Sequence, residues 1–281
     1  MPDLTVYSII GGELPQTLNL SPLPKSLDDV SRQLPQGVYS TFRTFDGGAR
    51  VLGLRLHLAR LYDPAFERGL APSVASAELR QMLKTLLEPY KPGEARVRIS
   101  LSLAESPGQV FVALEPLKLL DETVYQRGVR VVTSHVERVN PRLKSTAFIQ
   151  KSAQERSSML KNDIFEALMV HAGHVQEGLT SNFYLVKDRT IITAQQGILL
   201  GVTRRYVLRL ARAQGCEIEY RAPALGELSE CSEAFLTSSS RGVVPVVEIN
   251  EFPVGQGRPG QVAILLRRVY DDDVLRKAEE I

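Results

Sequence analysis

The stretch KSTAFIQK, residues 144–151, carries two lysines. It follows VNPR, where Pro141 breaks any earlier helix, so Lys144 falls at a junction between a strand-like run and a helix. Lys151 lies two turns further along that helix, beside Gln150, Ser152, Gln154 and Glu155, on a solvated face. A lysine amine becomes a nucleophile when it is taken out of water. On a solvated face it is a surface charge. The junction suits Lys144 for chemistry, and the polar neighbours of Lys151 suit the plain role. What Lys144 would do depends on the groups that the rest of the chain brings.

Before this stretch the text alternates strand-like and helix-like runs. LTVYSII (4–10) and GVYSTFRTF (37–45) are rich in β-branched and aromatic residues, and DGGA (46–49) is a hairpin turn. A helix is expected over 55–69, bent or divided near Pro64, and a second over SAELRQMLKTLLEPY (76–90). ARVRISLSL (95–103) and QVFVALEPL (109–117) make a hairpin. Residues 119–128 read as a linker between an N-terminal domain, 1–118, and a C-terminal domain, 129–281. The second domain opens on VRVVTSHV (129–136). IFEALMV, HVQEGLTSNFYLV and TIITA follow the lysines as consecutive strands. A helix is expected over 203–214, with Thr203 as N-cap and Gly215 beyond its end. EAFLTSSS and VVPVVEIN read as strands, and 261–280 as a terminal helix. The fold class is α+β, in two lobes.

The 281 residues include 34 basic and 32 acidic side chains, scattered rather than blocked, which gives no electrostatic footprint for nucleic acid or an anionic membrane. Cys216 and Cys231 match neither a metal spacing nor a disulfide framework. No apolar run is long enough for a membrane span, and the N-terminus lacks a basic region followed by a long apolar stretch, so a cytoplasmic protein is expected. Zinc-type spacings, P-loop, GxGxxG and GxSxG are absent, which removes several enzyme classes.

Four short segments remain. LLGVTRRYVLRLARAQG (199–215) sets a small turn at a helix start, where unpaired N–H groups and the helix dipole suit a phosphate, with Thr203 as hydroxyl ligand; a simple cap is the alternative. FLTSSSRG (235–242) ends a strand in four hydroxyl residues, Arg and Gly, an anion cradle or a polar turn. In EGLTSNFYLV (177–186), Glu177 is either a surface carboxylate or a partner that keeps a heterocycle's ring nitrogen protonated. In HLARL (57–61), His57 and Arg60 share a helix face. A nucleophilic lysine, a phosphate cradle and a ring-nitrogen carboxylate together are what pyridoxal phosphate chemistry needs.

In this order, GVYSTFRTF…HLARL…LKSTAF…EGLTSNFYLV…ILLGVTRR…FLTSSSRGVVPVVEI resembles the fold-type IV pyridoxal-phosphate enzymes, the class IV aminotransferase family of branched-chain and D-amino acid aminotransferases and aminodeoxychorismate lyases. Glu177 follows Lys144 by 33 residues, close to the family's separation, and lies several residues too near Lys151. The resemblance implies a D-amino acid aminotransferase-like fold with pyridoxal 5'-phosphate in the cleft between lobes. Lys144 is then the Schiff-base lysine and proton shuttle, and Glu177 the partner of the pyridine nitrogen. Arg60, the Val202 backbone, Thr203 and Ser239 are implied as phosphate ligands. Tyr39, Arg43, Ser240 and Arg241 are implied on the substrate side, with Arg43 as the carboxylate-reading fork.

The expected reaction moves an amino group between an amino acid or amine and a 2-oxo acid, in a homodimer. An aminodeoxychorismate lyase is the nearer alternative, and an inactive or binding-only protein the more distant one. The chain departs from the family at Ala147, Phe148 and Ile149, where many relatives carry an asparagine or tyrosine, and Gln150 is the nearest polar side chain to replace it. It departs also at Arg241, in place of a small residue common in branched-chain enzymes, which argues against a preference for plain aliphatic amino acids. Residues 11–35, rich in Pro, Leu and Ser, depart too.

Overall fold

The computed structural model describes residues 3–281. The chain divides into two compact units. One comprises the chain up to Lys118, with Leu143–Gln150 and Val274–Ile281; the other comprises Leu119–Arg142 and Lys151–Asp273.

The first unit begins with β1 (Thr5–Ile9), β2 (Gln16–Thr17), α1 (Leu27–Gln33), β3 (Gly37–Phe45), β4 (Arg50–Val51), α2 (Leu54–Phe66), α3 (Ser76–Leu87), β5 (Ala95–Ser102) and β6 (Val110–Pro116). Alternation along β3 sorts its side chains between two faces. Val38 and Phe42 join Val97, Ile99, Leu101, Val112 and Leu114 in a core roofed by Leu54, Leu58 and Leu61 of α2 and Leu79 and Leu83 of α3. Tyr39, Thr41 and Arg43 take the opposite face, in register with Ser100, Arg98 and Arg96 of β5. α1 covers part of that face, setting Leu27 and Val30 against Val6, Phe111 and Ala113. It starts in the segment rich in Pro, Leu and Ser, where the Ser26 hydroxyl accepts the Asp29 N–H at 3.1 Å. Pro64 does not divide α2, which runs on to Phe66. The proline falls in the last turn, where its missing N–H removes one bond beside the helix end.

The second unit holds α4 (Glu122–Arg127) and β7 (Val129–Ser134); after α5 (Ala147–Lys151) and α6 (Ala153–Lys161) come β8 (Glu166–His171), β9 (His174–Gly178), β10 (Asn182–Lys187) and β11 (Thr190–Ile192). Then follow α7 (Val202–Ala213), β12 (Glu217–Glu219), β13 (Glu233–Ser238), β14 (Gly242–Ile249), β15 (Phe252–Pro253) and α8 (Gln261–Lys277). The sheet order is β12-β11-β10-β13-β14-β7-β8-β9, with β15 on β14. Most pairs are antiparallel; β7 lies parallel to both β14 and β8. One sheet face buries Val131, Leu168, Phe183, Leu185, Leu236 and Val246. On the other, Tyr184 stacks on Phe235 at 4.5 Å and bonds Thr237 Oγ1 at 2.9 Å. HVQEGLTSNFYLV forms two strands, β9 and β10, joined by a small turn at Leu179–Ser181 just after Glu177.

Two late segments return to the first unit. Leu143–Gln150 brings Lys144 beside the start of β3, and β16 (Glu279–Glu280) pairs with β4. The terminal helix therefore stops at Lys277, short of the expected Glu280.

Candidate active site

Lys144 does not open a helix. Its segment is zipped onto β3 as a short antiparallel bridge, Val38 opposite Ser145. The Tyr39 N–H donates to the Lys144 carbonyl at 2.8 Å, and the Thr146 N–H to the Gly37 carbonyl at 2.9 Å. The Thr146 hydroxyl closes the end by accepting the Gly37 N–H at 2.9 Å. Only glycine fits at position 37, because a Cβ there would sit 2.0 Å from the Leu101 carbonyl oxygen. Held this way, the half-buried Lys144 places Nζ 5.1 Å from the Tyr39 ring centroid. Lys151, at the end of α5, is exposed, as is Gln150.

His57 is buried in α2, where its Nδ1 and the Ser40 hydroxyl lie 2.8 Å apart and its ring meets Phe42. Burial, then the charges of Arg60 and Lys144, hold its imidazole well below the usual range, so it is neutral. Half-buried Arg60 lies one turn further along the same helix. Arg43 donates from Nε to the Thr44 carbonyl at 3.2 Å and rests on the Phe45 ring.

Arg98 carries no signal in the sequence, yet it is buried and stacks on the Tyr39 ring at 4.6 Å. It donates to Thr41 Oγ1, the Leu27 carbonyl, Asp28 and Ser31. With its own position fixed by four acceptors, it holds Tyr39 in place. Alternation along β5 puts Arg98 on the Tyr39 face, but nothing in one strand reveals the α1 acceptors that neutralise it.

In the second unit Glu177 is 2% exposed. Its carboxylate accepts from Arg138 Nε at 3.2 Å, Asn182 Nδ2 at 3.2 Å and the Leu199 N–H at 3.1 Å. Asn182 also donates to the Leu199 carbonyl at 2.8 Å. At Gly201 a Cβ would lie 2.2 Å from Asn182 Oδ1, so the glycine lets the turn before α7 close onto this amide. One continuous network thus joins a buried carboxylate to a helix start. The N-cap of α7 is Gly201, not the expected Thr203, and supplies no side-chain acceptor; Val202 and Thr203 lie in the first turn. Because glycine leaves them without a side-chain cap, the first-turn N–H groups suit an anion. Gly215, at φ 76°, follows the helix end as expected.

The hydroxyls of FLTSSSRG divide. Thr237 bonds Tyr184, and Ser238 accepts Arg241 Nε at 2.9 Å, while half-buried Ser239 and Ser240 sit in the strand-end loop. Arg241 also donates to Thr180 Oγ1 at 2.6 Å and meets Glu166 at 3.4 Å. Arg138, Asn182, Glu166 and Thr180 carry no spacing signal in the sequence; they are assembled by the turn between β9 and β10.

A family model described as amino-transferase class IV matches residues 37–249. The chain belongs to the class IV aminotransferase family. It is similar to the D-alanine aminotransferase of Bacillus licheniformis, 30% identical over 267 residues that cover 89% of this chain and 91% of that protein. It is also similar to the aminodeoxychorismate lyase of Bacillus subtilis (strain 168), 27% identical over 261 residues, 87% of each. The solved T.th. branched-chain amino acid aminotransferase with pyridoxamine 5'-phosphate matches with a TM-score of 0.79 at 24% identity, covering 97% of this chain and 94% of that one. The fold is therefore the α+β fold of the fold-type IV aminotransferases. Enzymes of this class IV family work with pyridoxal phosphate. Among the described residues no helix is long and apolar enough to cross a membrane.

Proposed function

We propose that the protein is a pyridoxal-phosphate-dependent aminotransferase that moves an amino group between an amino acid or amine and a 2-oxo acid. The observation that carries this reading is the network from Glu177 through Asn182 to the start of α7, which links a ring-nitrogen partner to a phosphate cradle. The donor set suits the cofactor's chemistry. The first unit offers a primary amine at Lys144 and the Arg60 guanidinium; the second offers the buried Glu177 carboxylate paired with Arg138, and Val202, Thr203 and Ser239 for a phosphate.

When bound, pyridoxal phosphate supplies an electron sink for a proton leaving the substrate's α-carbon. Glu177 would face the pyridine nitrogen and favour its protonated form, and Arg138 and Asn182 fix the orientation of Glu177. Lys144 would hold the cofactor through its amine, and its Nζ would be the base that takes the substrate's α-proton and the acid that returns one. Neutral His57 adds no third positive charge beside Lys144 and Arg60. Tyr39, Arg43 and Ser240 serve the substrate side, with Arg241 in the same loop. Arg43 lies opposite Arg96 across β3 and β5; Arg96 is paired with Glu115 at 3.0 Å, and the planar guanidinium of Arg43 has the fork geometry that matches an anion. That suits a carboxylate-bearing substrate. We place the chain in a homodimer, which light scattering on the purified protein tests.

The test is to load purified protein with pyridoxal phosphate, gel-filter it, and titrate the bound cofactor with L- and D-amino acids and chiral amines. Wild type and Lys151→Ala should retain the visible band and lose it to amino donors; Lys144→Ala should retain neither property. Borohydride reduction should fix the cofactor at Lys144. A band retained by Lys144→Ala overturns the assignment. Release of 4-aminobenzoate and pyruvate from aminodeoxychorismate, with no amino transfer, would replace it by the lyase.

A further inference from the structure

We propose that Arg241 is a positioning residue, which ties the Glu177 turn to the Ser239–Ser240 loop instead of reading a substrate carboxylate. The proposal rests on the functional reading above. The guanidinium's side-on edge, Nε and Nη2, is one of the two edges that can fork a carboxylate. Here that edge is spent inside the protein: Nε donates to Ser238 Oγ at 2.9 Å, and Nη2 to Thr180 Oγ1 at 2.6 Å and Glu166 Oε2 at 3.4 Å. The guanidinium lies over the Phe165 ring at 5.0 Å, and the Tyr125 hydroxyl donates to the Arg241 carbonyl at 2.9 Å. Backbone, ring face and fork edge all hold the side chain in place.

The other end of the strut is Glu166, whose side chain is wholly buried. Its Oε2 accepts the Thr180 N–H at 3.2 Å, the Thr180 hydroxyl at 2.5 Å and the Ser181 hydroxyl at 2.9 Å. Those donors are neutral, so Arg241 supplies the charge that a sealed carboxylate requires. Thr180 and Ser181 form the turn that delivers Glu177 at one end and Asn182 at the other. The Gly178 N–H closes that turn on the Ser181 carbonyl at 2.9 Å, and a Cβ on Gly178 would fall 2.4 Å from Ser181 Oγ and 2.8 Å from Glu166 Cγ. With no slack in the turn, a loosened Glu166 shifts Glu177. At the same time Ser238, held by Arg241 Nε, sets the start of the loop that carries Ser239 and Ser240. One cation therefore keeps the pyridine partner and the strand-end loop in register.

The experiment is a cycle of Arg241→Gln, Glu166→Gln and the double variant, with Arg241→Lys as the charge-keeping control. Pyridoxal phosphate affinity is titrated on apoprotein, thermal unfolding is followed without cofactor, and KM for the 2-oxo acid is measured at saturating cofactor. Arg241→Gln should weaken cofactor binding about tenfold, the size of one lost charge-assisted hydrogen bond. KM should stay within about threefold, and the double variant should lose less than the product of the single effects. Arg241→Lys should recover part of the unfolding temperature, because Glu166 keeps a cation. A KM raised by about thirtyfold or more with cofactor affinity unchanged would make Arg241 a carboxylate reader and overturn the proposal. So would independent, multiplicative effects of the two substitutions. If the wild type holds no pyridoxal phosphate, the functional reading falls, and the Glu166–Arg241 coupling in apoprotein unfolding decides the strut by itself. If Arg241→Gln does not fold, Thr180→Val replaces it, removing the bridging hydroxyl while sparing the ion pair; unchanged cofactor affinity there also overturns the proposal.

Discussion

Glu177 and Glu166 are carboxylates sealed inside the same unit, each beside an arginine and each bonded to residues of the β9–β10 turn. They differ in what holds them. Glu177 is set by Arg138, by the Asn182 amide and by the Leu199 N–H, and the last two lead to the entry into α7. Glu166 is set by the hydroxyls of Thr180 and Ser181, which belong to the turn itself, and by Arg241 of the strand-end loop. The first arrangement aims a charge; the second braces a bend. Burial and an arginine partner are thus insufficient to mark a catalytic carboxylate. What separates the two is whether the surrounding donors lead to another functional group.

The comparison breaks first at Glu177. Glu177→Gln keeps the shape and removes the charge, so kcat/KM should fall about 10²–10³-fold, as when a preorganised electrostatic partner is lost. Steady-state kinetics at a temperature where the variant is folded checks this. Activity within a few-fold of wild type would reduce Glu177 to another brace. Glu166→Gln should act the other way round, costing of order 3 kcal/mol of stability by leaving the Arg241 end of a buried pair uncompensated. Chemical denaturation of the apoprotein measures it. If Glu166→Gln is as stable as wild type, the bracing role is wrong.

Between them lies Gly201, where the aimed carboxylate meets the helix start. Its φ of −63° suits any residue, so Gly201→Ala tests space alone. The added methyl must displace Asn182, whose Oδ1 lies 2.2 Å from the ideal Cβ. Overpacking of this kind costs about 1–3 kcal/mol. The substitution should also weaken pyridoxal phosphate binding in a titration, because Asn182 holds both Glu177 and the Leu199 carbonyl. A variant that binds the cofactor normally would mean that the two ends of the network are independent.

The same contrast shows what one strand of text can carry. Alternation in GVYSTFRTF and ARVRISLSL places β3 and β5 and sorts their faces, because side-chain direction in a strand is a local property. The helix over TRRYVLRLARA is equally local, apart from its cap, which passes from Thr203 to Gly201 because the 199–201 turn closes on Asn182. Lys144 is visible as a lysine after a proline, but its pairing with β3 spans more than a hundred residues and has no local signature. Arg98, Arg138 and Glu166 are invisible for the same reason: their partners, Asp28, Glu177 and Arg241, are supplied by other elements. At Arg241 the residue type alone suggests an anion reader; the structure shows its side-on edge occupied by Ser238 and Thr180.

His57 offers the smallest effect and tests the contrast from the side of a buried base. It is neutral because burial and the nearby charges of Arg60 and Lys144 oppose its protonation, while its Nδ1 pairs with Ser40. The folded state therefore resists a proton that the unfolded chain accepts below its ordinary value of 6.5. More protons on the unfolded side mean that stability rises with pH in that range, and is complete above it. Relative to His57→Asn, which cannot titrate, the wild type should lose about 1.4 kcal/mol per pH unit as pH falls below 6.5. The two should run parallel above pH ~7. Denaturation series at several pH values read the difference directly. Parallel curves down to pH ~5 would mean that the folded protein accommodates the imidazolium, and that the charges of Lys144 and Arg60 do not reach His57.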